Sequence, residues 1–312
     1  MKDITIVTAF FDINRKNING FNRSNEKYIE SFKFWAHLKN NLIVFSDKET
    51  IDKVLEIREE YGLLEKTKTI IIDNYLDIDK ELFNSIDNTM KSKEFLEFHL
   101  QRNIPEAISS KYNYIMALKS WCCASTLEKG LVKEDDMLLW LDFGFNYGGK
   151  FYRDESDFDI LFEHNFSDKI HLFQVNKLDD LPAFEIIRRN NSYIQGGEIV
   201  APANLFKELW NLVRSNMISL NKAGLADDDQ ILYLMSYRQK KELFELHDCE
   251  WLGLFKDFSN HKFNFKKPVK SRKEKILDFL HKCKHPTEFI LIRKINYAYR
   301  TFRLLKDEKI KE

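Results

Sequence analysis

Residues 135–149, DDMLLWLDFGFNYGG, decide the fold. The apolar run within them, residues 137–141, has acids before it and glycines after it, which is typical of a buried central strand followed by a turn. Ligands of open α/β sheets bind at the carboxyl ends of the strands. Asp142, directly after this strand, is therefore expected at a ligand crevice, where a metal or a partner must compensate its burial. The alternative is that Asp142 only caps a turn.

Strand and helix patterns alternate on both sides of this stretch. Short apolar or β-branched runs predict further strands at residues 4–11, 41–45, 67–72, 170–175, 198–201 and 244–247. Helical spacing predicts helices at residues 26–38, 48–61, 93–109, 112–129, 205–215 and 228–240. Alternation with short connections is typical of a parallel sheet with helices on its faces, so we expect an α/β fold.

Composition narrows the class of protein. The chain has 312 residues, 14% aromatic, with 10 Gly and 5 Pro, which argues against disorder and collagen-like repeats. Its net charge of zero gives no overall attraction to nucleic acid. Four cysteines without a CxxC pair suit a reducing compartment. Because the sequence also shows no signal-peptide pattern and no long apolar segment, we expect a cytoplasmic protein.

Familiar catalytic motifs are absent from the sequence. It contains no GxGxxG, no GxxxxGK[ST], no HExxH and no GxSxG. Dehydrogenases of the Rossmann type, P-loop enzymes, zincin proteases and α/β-hydrolases are therefore disfavoured.

An acidic run, ADDDQ at residues 226–230, opens a predicted helix. Acids at a helix N-terminus are favourable by themselves, so capping alone could explain the run. The functional interpretation places one carboxylate, that of Asp228 or Asp229, and the amide of Gln230 at the mouth of the site, for hydrogen bonds to sugar hydroxyls or general-base catalysis. The preceding segment YIQGG at residues 193–197, with Gln195, Gly196 and Gly197, predicts either a plain turn or the lining of a sugar pocket.

Two histidines are further candidate metal ligands, and the C-terminal residues form a candidate basic tail. A neutral imidazole of His247 or His261 could complete a metal shell begun by Asp142, although a lone histidine is more often a surface residue. From residue 261 to 312 there are 16 Lys and Arg against 6 Asp and Glu, so we predict a main domain at 1–260 and a basic helical tail at 261–312. The tail could lie on an anionic membrane or pack on the domain, and no recognised nucleic-acid module surrounds its charge.

Four segments taken in order resemble the HtrL/YibB family of bacterial proteins, over roughly residues 3–255. They are IVTAFFDINR at 6–15, YNYIMALKSWCCASTLEKG at 112–130, LLWLDFG at 138–144 and YIQGGEIVAP at 193–202. The family is associated with surface-polysaccharide and lipopolysaccharide gene clusters and is related to GT-A glycosyltransferases. The resemblance implies a GT-A-like, Rossmann-like fold with a mixed, mostly parallel sheet flanked by helices.

The resemblance also implies a donor site for a nucleoside-diphosphate sugar. Thr8, Ala9 and Phe10, at the end of the first strand, would contact the nucleotide. An Asp-x-Asp element would hold Mn²⁺ or Mg²⁺ on the diphosphate, and here it would be Asp142-Phe143-Gly144, with Gly144 where the class has Asp. Metal use would then require a further ligand, His261 or His247.

Further matches extend the implied site. Asp228-Asp229-Gln230 is similar to the acidic helix start that many sugar transferases place against donor and acceptor. His261 and Lys267 match the H-x5-K-P spacing of some retaining galactosyltransferases, in which the His binds the metal and the Lys the diphosphate. Lys119 or Arg23 would help to clamp the phosphates.

The implied activity is transfer of a hexose, galactose-type favoured, from a UDP-linked donor to a glycan or lipid-linked acceptor at the inner face of the cytoplasmic membrane. The first alternative is a catalytically silent scaffold that binds sugars or proteins. The second is a phosphotransferase or nucleotidyltransferase that uses the same acidic loop.

Overall fold

The computed structural model describes residues 4–18 and 23–266. These ranges contain seven strands: β1 (Ile4–Phe10), β2 (Leu42–Ser46), β3 (Thr67–Ile71), β4 (Met137–Leu141), β5 (Ile170–Gln174), β6 (Ile194–Pro202) and β7 (Phe244–Asp248). They also contain ten α-helices: α1 (Asn25–Trp35), α2 (Lys48–Glu60), α3 (Lys80–Met90), α4 (Lys93–Phe98), α5 (Pro105–Ile108), α6 (Ser110–Glu128), α7 (Ala183–Arg189), α8 (Ala203–Lys222), α9 (Asp229–Gln239) and α10 (Leu254–Phe258).

The strands form a single sheet in the order β3-β2-β1-β4-β6-β5-β7. Strand β6 runs antiparallel to β4 and β5, and the other paired strands are parallel. The predicted α/β class, with a mixed and mostly parallel sheet flanked by helices, is confirmed. Strand order reverses between β1 and β4, since β2 and β3 lie on one side of β1 and β4 on the other. Such a reversal leaves a crevice at the carboxyl ends of the two strands.

Strand β4 is the central strand of the sheet, and all five of its side chains are buried. Burial of each large apolar side chain contributes roughly 1.5–3 kcal/mol. The strand pairs with β1 through Val7 and Trp140 and with β6 through Leu141 and Glu198. Helix α6, with twelve buried residues, packs against α8 and against β1 and β4. These contacts fix the residues that follow β4.

The prediction of one helix over residues 93–109 is wrong, because the structure has two short helices, α4 and α5, in that range. Pro105 is the reason. It has no N–H to donate and restricts the residue before it, so Ile104 is extended, with φ −120° and ψ 151°, and a new helix begins at Pro105.

Two other elements differ from the prediction by four residues or more at one end. Helix α8 continues to Lys222 rather than ending at residue 215, because Asn216, Met217 and Leu220 keep a buried face. Strand β6 begins at Ile194, so the segment at residues 193–197 is not a turn and its glycines are part of the strand. The remaining predicted strands agree with the structure to within one residue at either end.

The predicted division at 260/261 stays a prediction. Lys267 and the rest of the basic tail lie outside the described residues. A membrane-crossing helix is not found in the described ranges, since none combines enough length with enough apolar character.

Candidate active site

A pocket lies where strand order reverses. Ala9 and Phe10 from the end of β1 line one part of it, and Asp142, Phe143 and Gly144 directly after β4 line another. The pocket encloses about 640 Å³ of empty space, part of it open to solvent. Asp142, expected from the sequence at a ligand crevice, thus lines a pocket, and its role there stays a prediction. Thr8, which was expected to contact the nucleotide, is fully buried and does not line the pocket.

Lys119 connects two carboxylates beside this pocket. Its Nζ lies 2.8 Å from Oδ1 of Asp142 and 2.7 Å from Oδ2 of Asp229, and it donates a 3.0 Å hydrogen bond to the carbonyl of Gly196. Burial acts to lower the pKa of Lys119, but the two carboxylates outweigh burial and raise that pKa above its ordinary value. Lys119 is therefore a permanent internal cation, and its charge is already matched by carboxylates rather than available to phosphates.

The glycine pair of β6 makes room for the same two carboxylates. A Cβ on Gly196 would lie 2.0 Å from Oδ2 of Asp229, and a Cβ on Gly197 would lie 3.4 Å from Oδ2 of Asp142. The backbone N–H of Asp142 also donates to the carbonyl of Gly197 at 2.9 Å. Gly196 is thus required for packing, because any side chain there would displace the Asp229 carboxylate.

Asp228, Asp229 and Gln230 start helix α9, as predicted. Asp228 is the N-cap and accepts a 3.0 Å hydrogen bond from the Gln230 backbone N–H. None of the three side chains lines the pocket, and Asp229 reaches the pocket wall only through Lys119. The structure therefore places them behind the pocket wall rather than at its mouth.

Burial dominates the acid–base properties of this helix start. It raises the pKa of Asp228 to about 7, with a further contribution from Glu106, and raises the pKa of Asp229 to about 7, against the opposing effect of Lys119. The pKa values of Glu106 and Asp227 are also raised, mainly by burial. Several carboxyl groups with one buried lysine among them cannot all ionise at low cost, so part of this cluster is protonated near neutral pH.

Asp142 is the more exposed of the two carboxylates that contact Lys119. Its Oδ1 accepts hydrogen bonds from Trp140 Nε1 at 2.9 Å and ion-pairs with Lys119, while its side chain is 36% exposed. Oδ2 has no hydrogen bond to any described residue. Asp142 therefore presents one carboxylate oxygen to a ligand.

Asp142 is the one carboxylate among the described residues that lines the pocket. A Mn²⁺ or Mg²⁺ ion there would be held by this carboxylate, with phosphate oxygens of a donor and water supplying the other ligands, as is usual for Mg²⁺. At Gly144, where the resemblance implies a second Asp, a Cβ would lie 2.6 Å from the ring of Tyr28. That ring is only 8% exposed and packs against Phe10 and Tyr147, so it cannot easily move aside.

Neither candidate histidine contacts Asp142 in the described part of the chain. His247 Nε2 lies 2.8 Å from His171 Nδ1, and His261 Nε2 lies 3.1 Å from Oδ1 of Asp157. Gln195 is also occupied elsewhere: its amide donates to Glu198 and its oxygen accepts from the Leu252 backbone N–H at 2.7 Å. Gln195 therefore fixes a loop and does not line the pocket.

Two arginines stand on the wall of the pocket. Arg15 lies over the rings of Phe10 and Tyr28, at 5.1 and 4.8 Å from their centroids, and is only 5% exposed. Arg23, a predicted donor-binding residue, lies 4.8 Å from the centroid of Tyr147. Sequence reasoning missed Arg15, although it lies in the polar loop after β1 whose Asn and Arg content indicates ligand handling.

The comparisons with known proteins agree with the family resemblance. The chain is 31% identical over 278 residues to "Protein HtrL" of Escherichia coli (strain K12), an alignment that covers 82% of this chain and 93% of that protein. Among solved structures, it is similar to mouse xyloside xylosyltransferase 1 in its apo form. That match has a TM-score of 0.41 and 15% identity, and covers 80% of this chain and 86% of the mouse chain. A family model described as "Bacterial protein of unknown function (HtrL_YibB)" matches residues 2–260, and the chain belongs to this family.

Proposed function

We propose that the protein is a glycosyltransferase that binds a nucleoside-diphosphate sugar in the pocket between β1 and β4. The observation that carries the proposal is the position of this pocket at the reversal of strand order, with two guanidinium groups, several aromatic rings and one partly exposed carboxylate on its walls. Pockets at this place in open α/β sheets accept nucleotides and related ligands.

The diphosphate is assigned to Arg15 and Arg23. Guanidinium groups bind phosphate oxygens in a planar, bidentate manner, and both arginines lie against neighbouring aromatic rings. Nε of Arg15 is buried without a hydrogen-bond partner among the described residues, so this guanidinium keeps an unused donor. Tyr112 and Trp140 add ring surface to the pocket.

The sugar is assigned to Asp142. In glycosyl transfer the bond from the anomeric carbon to the diphosphate oxygen breaks, a bond to an acceptor oxygen forms, and the acceptor hydroxyl loses its proton. Asp142, which lines the pocket with its side chain 36% exposed, is assigned to bind a sugar hydroxyl or to take that proton. Lys119 and Trp140 hold Oδ1, and Asp229 positions Lys119. Asp228 and Gln230 support this arrangement from the start of α9.

The proposed donor is a UDP-linked hexose, with a galactose-type sugar favoured. The proposed acceptor is a surface glycan or a lipid-linked molecule, and the enzyme would act at the inner face of the cytoplasmic membrane. The Mn²⁺ or Mg²⁺ ion stays a prediction, and assays with and without a chelator test it. No step above depends on a metal.

Release of nucleoside diphosphate from a panel of nucleotide sugars tests the proposal, with purified full-length chain. We expect turnover of at least one donor and a loss of at least about 100-fold in Asp142→Asn, the scale on which a single transition-state contact acts. Asp159→Asn, at a surface ion pair with Lys39, is the matched control and should keep full activity. Arg15→Gln should raise the KM for the donor more than it lowers kcat.

Three other outcomes would contradict the proposal. Donor binding without any turnover would favour the silent scaffold. Release of pyrophosphate would indicate a nucleotidyltransferase. Full activity in Asp142→Asn would show that the reaction takes place elsewhere in the protein.

A further inference from the structure

A second cluster of chemically active side chains lies at the far edge of the sheet from β3. Strands β5 and β7 pair in parallel with His171 opposite Glu245 and Phe173 opposite His247. Because strand side chains alternate between faces, His171, Glu245 and His247 project from the same face of the two strands. Two imidazoles and a carboxylate are thereby held on a rigid backbone, at a place that the proposed transferase site does not use.

The hydrogen bonds of His171 determine which ring nitrogens carry protons. Nε2 of His171 lies 2.9 Å from the carbonyl oxygen of Ser167, which can only accept, so this nitrogen carries the proton. Nδ1 of the neutral ring then carries a lone pair, and it lies 2.8 Å from Nε2 of His247. A carbonyl that accepts from the outer nitrogen of a histidine is the usual support of a metal-binding imidazole.

Ser167 also orients the carboxylate. Its hydroxyl donates a 2.7 Å hydrogen bond to Oε2 of Glu245. One serine therefore positions two of the three groups, through its backbone carbonyl and its side chain. The rings of Phe166, Phe173 and Phe258 pack around His247 and restrict its rotation.

The three groups lie close to the spacing of a tetrahedral zinc site. Zinc bonds to nitrogen and oxygen of about 2.0–2.1 Å imply ligand-to-ligand distances of about 3.3 Å. Here the two imidazole nitrogens are 2.8 Å apart, Oε2 of Glu245 lies 3.9 Å from Nδ1 of His171, and Oε1 of Glu245 lies 3.8 Å from Nε2 of His247. With one ligand atom taken from each residue, all three atoms lie within 4.8 Å of one another. Rotation of the Glu245 side chain and a small separation of the two rings would bring one oxygen and both nitrogens to the tetrahedral distance.

We propose that His171, Glu245 and His247 form a Zn²⁺ site that ties the edge strand β7 to β5. Two imidazoles and one carboxylate suit zinc, whereas Mg²⁺ and Ca²⁺ prefer oxygen ligands alone. The side chain of Glu245 is 45% exposed and that of His171 1%, so the ion enters from the carboxylate side and keeps a water as its fourth ligand. Burial lowers the pKa of both imidazoles, which keeps them in the neutral form that binds metal.

Zinc titration of the metal-free full-length chain tests the site, by calorimetry and by metal analysis after dialysis. We expect wild type to bind one equivalent of Zn²⁺ that His247→Gln and Glu245→Gln lose or bind at least 10-fold more weakly. Zn²⁺ should raise the Tm of wild type, and the same concentration of Mg²⁺ should not. Co²⁺ in the same site should show the strong visible absorption of a tetrahedral complex.

His261→Gln is the matched control, since His261 also pairs with an acid, Asp157, but away from this cluster. It should bind zinc as wild type does. Equal Tm values of the metal-free variants and metal-free wild type show that the substitutions leave the fold intact. The proposal is overturned if wild type binds no zinc, or if His247→Gln and Glu245→Gln keep the full equivalent at unchanged affinity.

Discussion

The pocket at β1 and β4 and the histidine cluster at β5 and β7 handle charge in opposite ways. In the pocket the cation is part of the chain, because Lys119 lies between Asp142 and Asp229. In the cluster three potential metal ligands face one another, and no lysine or arginine ion-pairs with them among the described residues. A carboxylate after a central strand therefore need not indicate a metal, while a bound metal is expected where neutral imidazoles converge.

Removal of the internal cation should have the largest effect. Lys119→Met leaves two carboxylates without their partner and should cost about 3–5 kcal/mol in the free energy of unfolding at pH 8. Urea denaturation measures it. Lys39→Met, at an exposed ion pair with Asp159, is the control and should cost less than about 1 kcal/mol. Lys119→Met/Asp229→Asn should recover part of the loss. A similar cost for both lysines would show that Lys119 is not structural.

The second largest effect is expected in the pH dependence of the free energy of unfolding. Asp228 has a pKa of about 7 in the folded protein against an ordinary value of 3.8, so the folded state binds more protons between these values. Stability should therefore fall as pH rises from about 4 to 7, by up to about 1.4 kcal/mol per pH unit for one group. Asp228→Asn keeps an equally good helix cap and should flatten this slope in urea denaturation from pH 4.5 to 8. Parallel profiles for variant and wild type would contradict the shift.

The two glycines of β6 give a paired test of the packing around the carboxylates. Gly196→Ala brings a methyl group to 2.0 Å from Asp229 and should cost about 1–3 kcal/mol in unfolding free energy. Gly197→Ala meets Asp142 only at 3.4 Å and should cost clearly less. Thermal denaturation of both variants measures the difference. If the two substitutions cost the same, the close approach at Gly196 does not decide stability.

The smallest effect is expected at the histidine cluster without metal. Glu245→Gln removes a half-exposed carboxylate and should change the free energy of unfolding by less than about 1 kcal/mol in a chelator. In excess Zn²⁺ the gap between wild type and variant should widen. A large cost already present in the chelator would mean that Glu245 acts through its hydrogen bond to Ser167 instead.

Local patterns in the sequence were enough for much of the fold. Strand β4 was predicted with its observed ends because a short buried apolar run between acids and glycines has few other interpretations. The N-cap of α9 could also be predicted from the sequence, since Asp228 precedes an apolar helix. The break at residues 99–104 was missed, although Pro105 signals it.

The contacts of the candidate site could not be predicted from local sequence patterns. Lys119, Asp142 and Asp229 lie on three elements far apart in the chain, and no spacing rule connects them. Gly196 and Gly197 were interpreted as a turn or pocket lining because the Asp229 carboxylate that requires Gly196 comes from another element. His247 was a candidate metal ligand from sequence, but its neighbour His171 becomes apparent only once β5 pairs with β7.

Strand β6 runs antiparallel to both of its neighbours, and the pocket depends on the register in which β6 pairs with β4. Glu198 lies opposite Leu141, and side chains alternate along β6, so a slip of one residue would exchange the two faces of the strand. If Gln195 took the place of Gly196, its side chain would occupy the space that the Asp229 carboxylate fills, whereas Gly197 in that place would leave the space open. A one-residue deletion just before Ile194 can be absorbed in the loop, whereas one inside β6 should abolish the pocket while leaving most of the sheet able to form. Deletion scanning across residues 190–200 would thus mark where tolerance for changes of chain length ends.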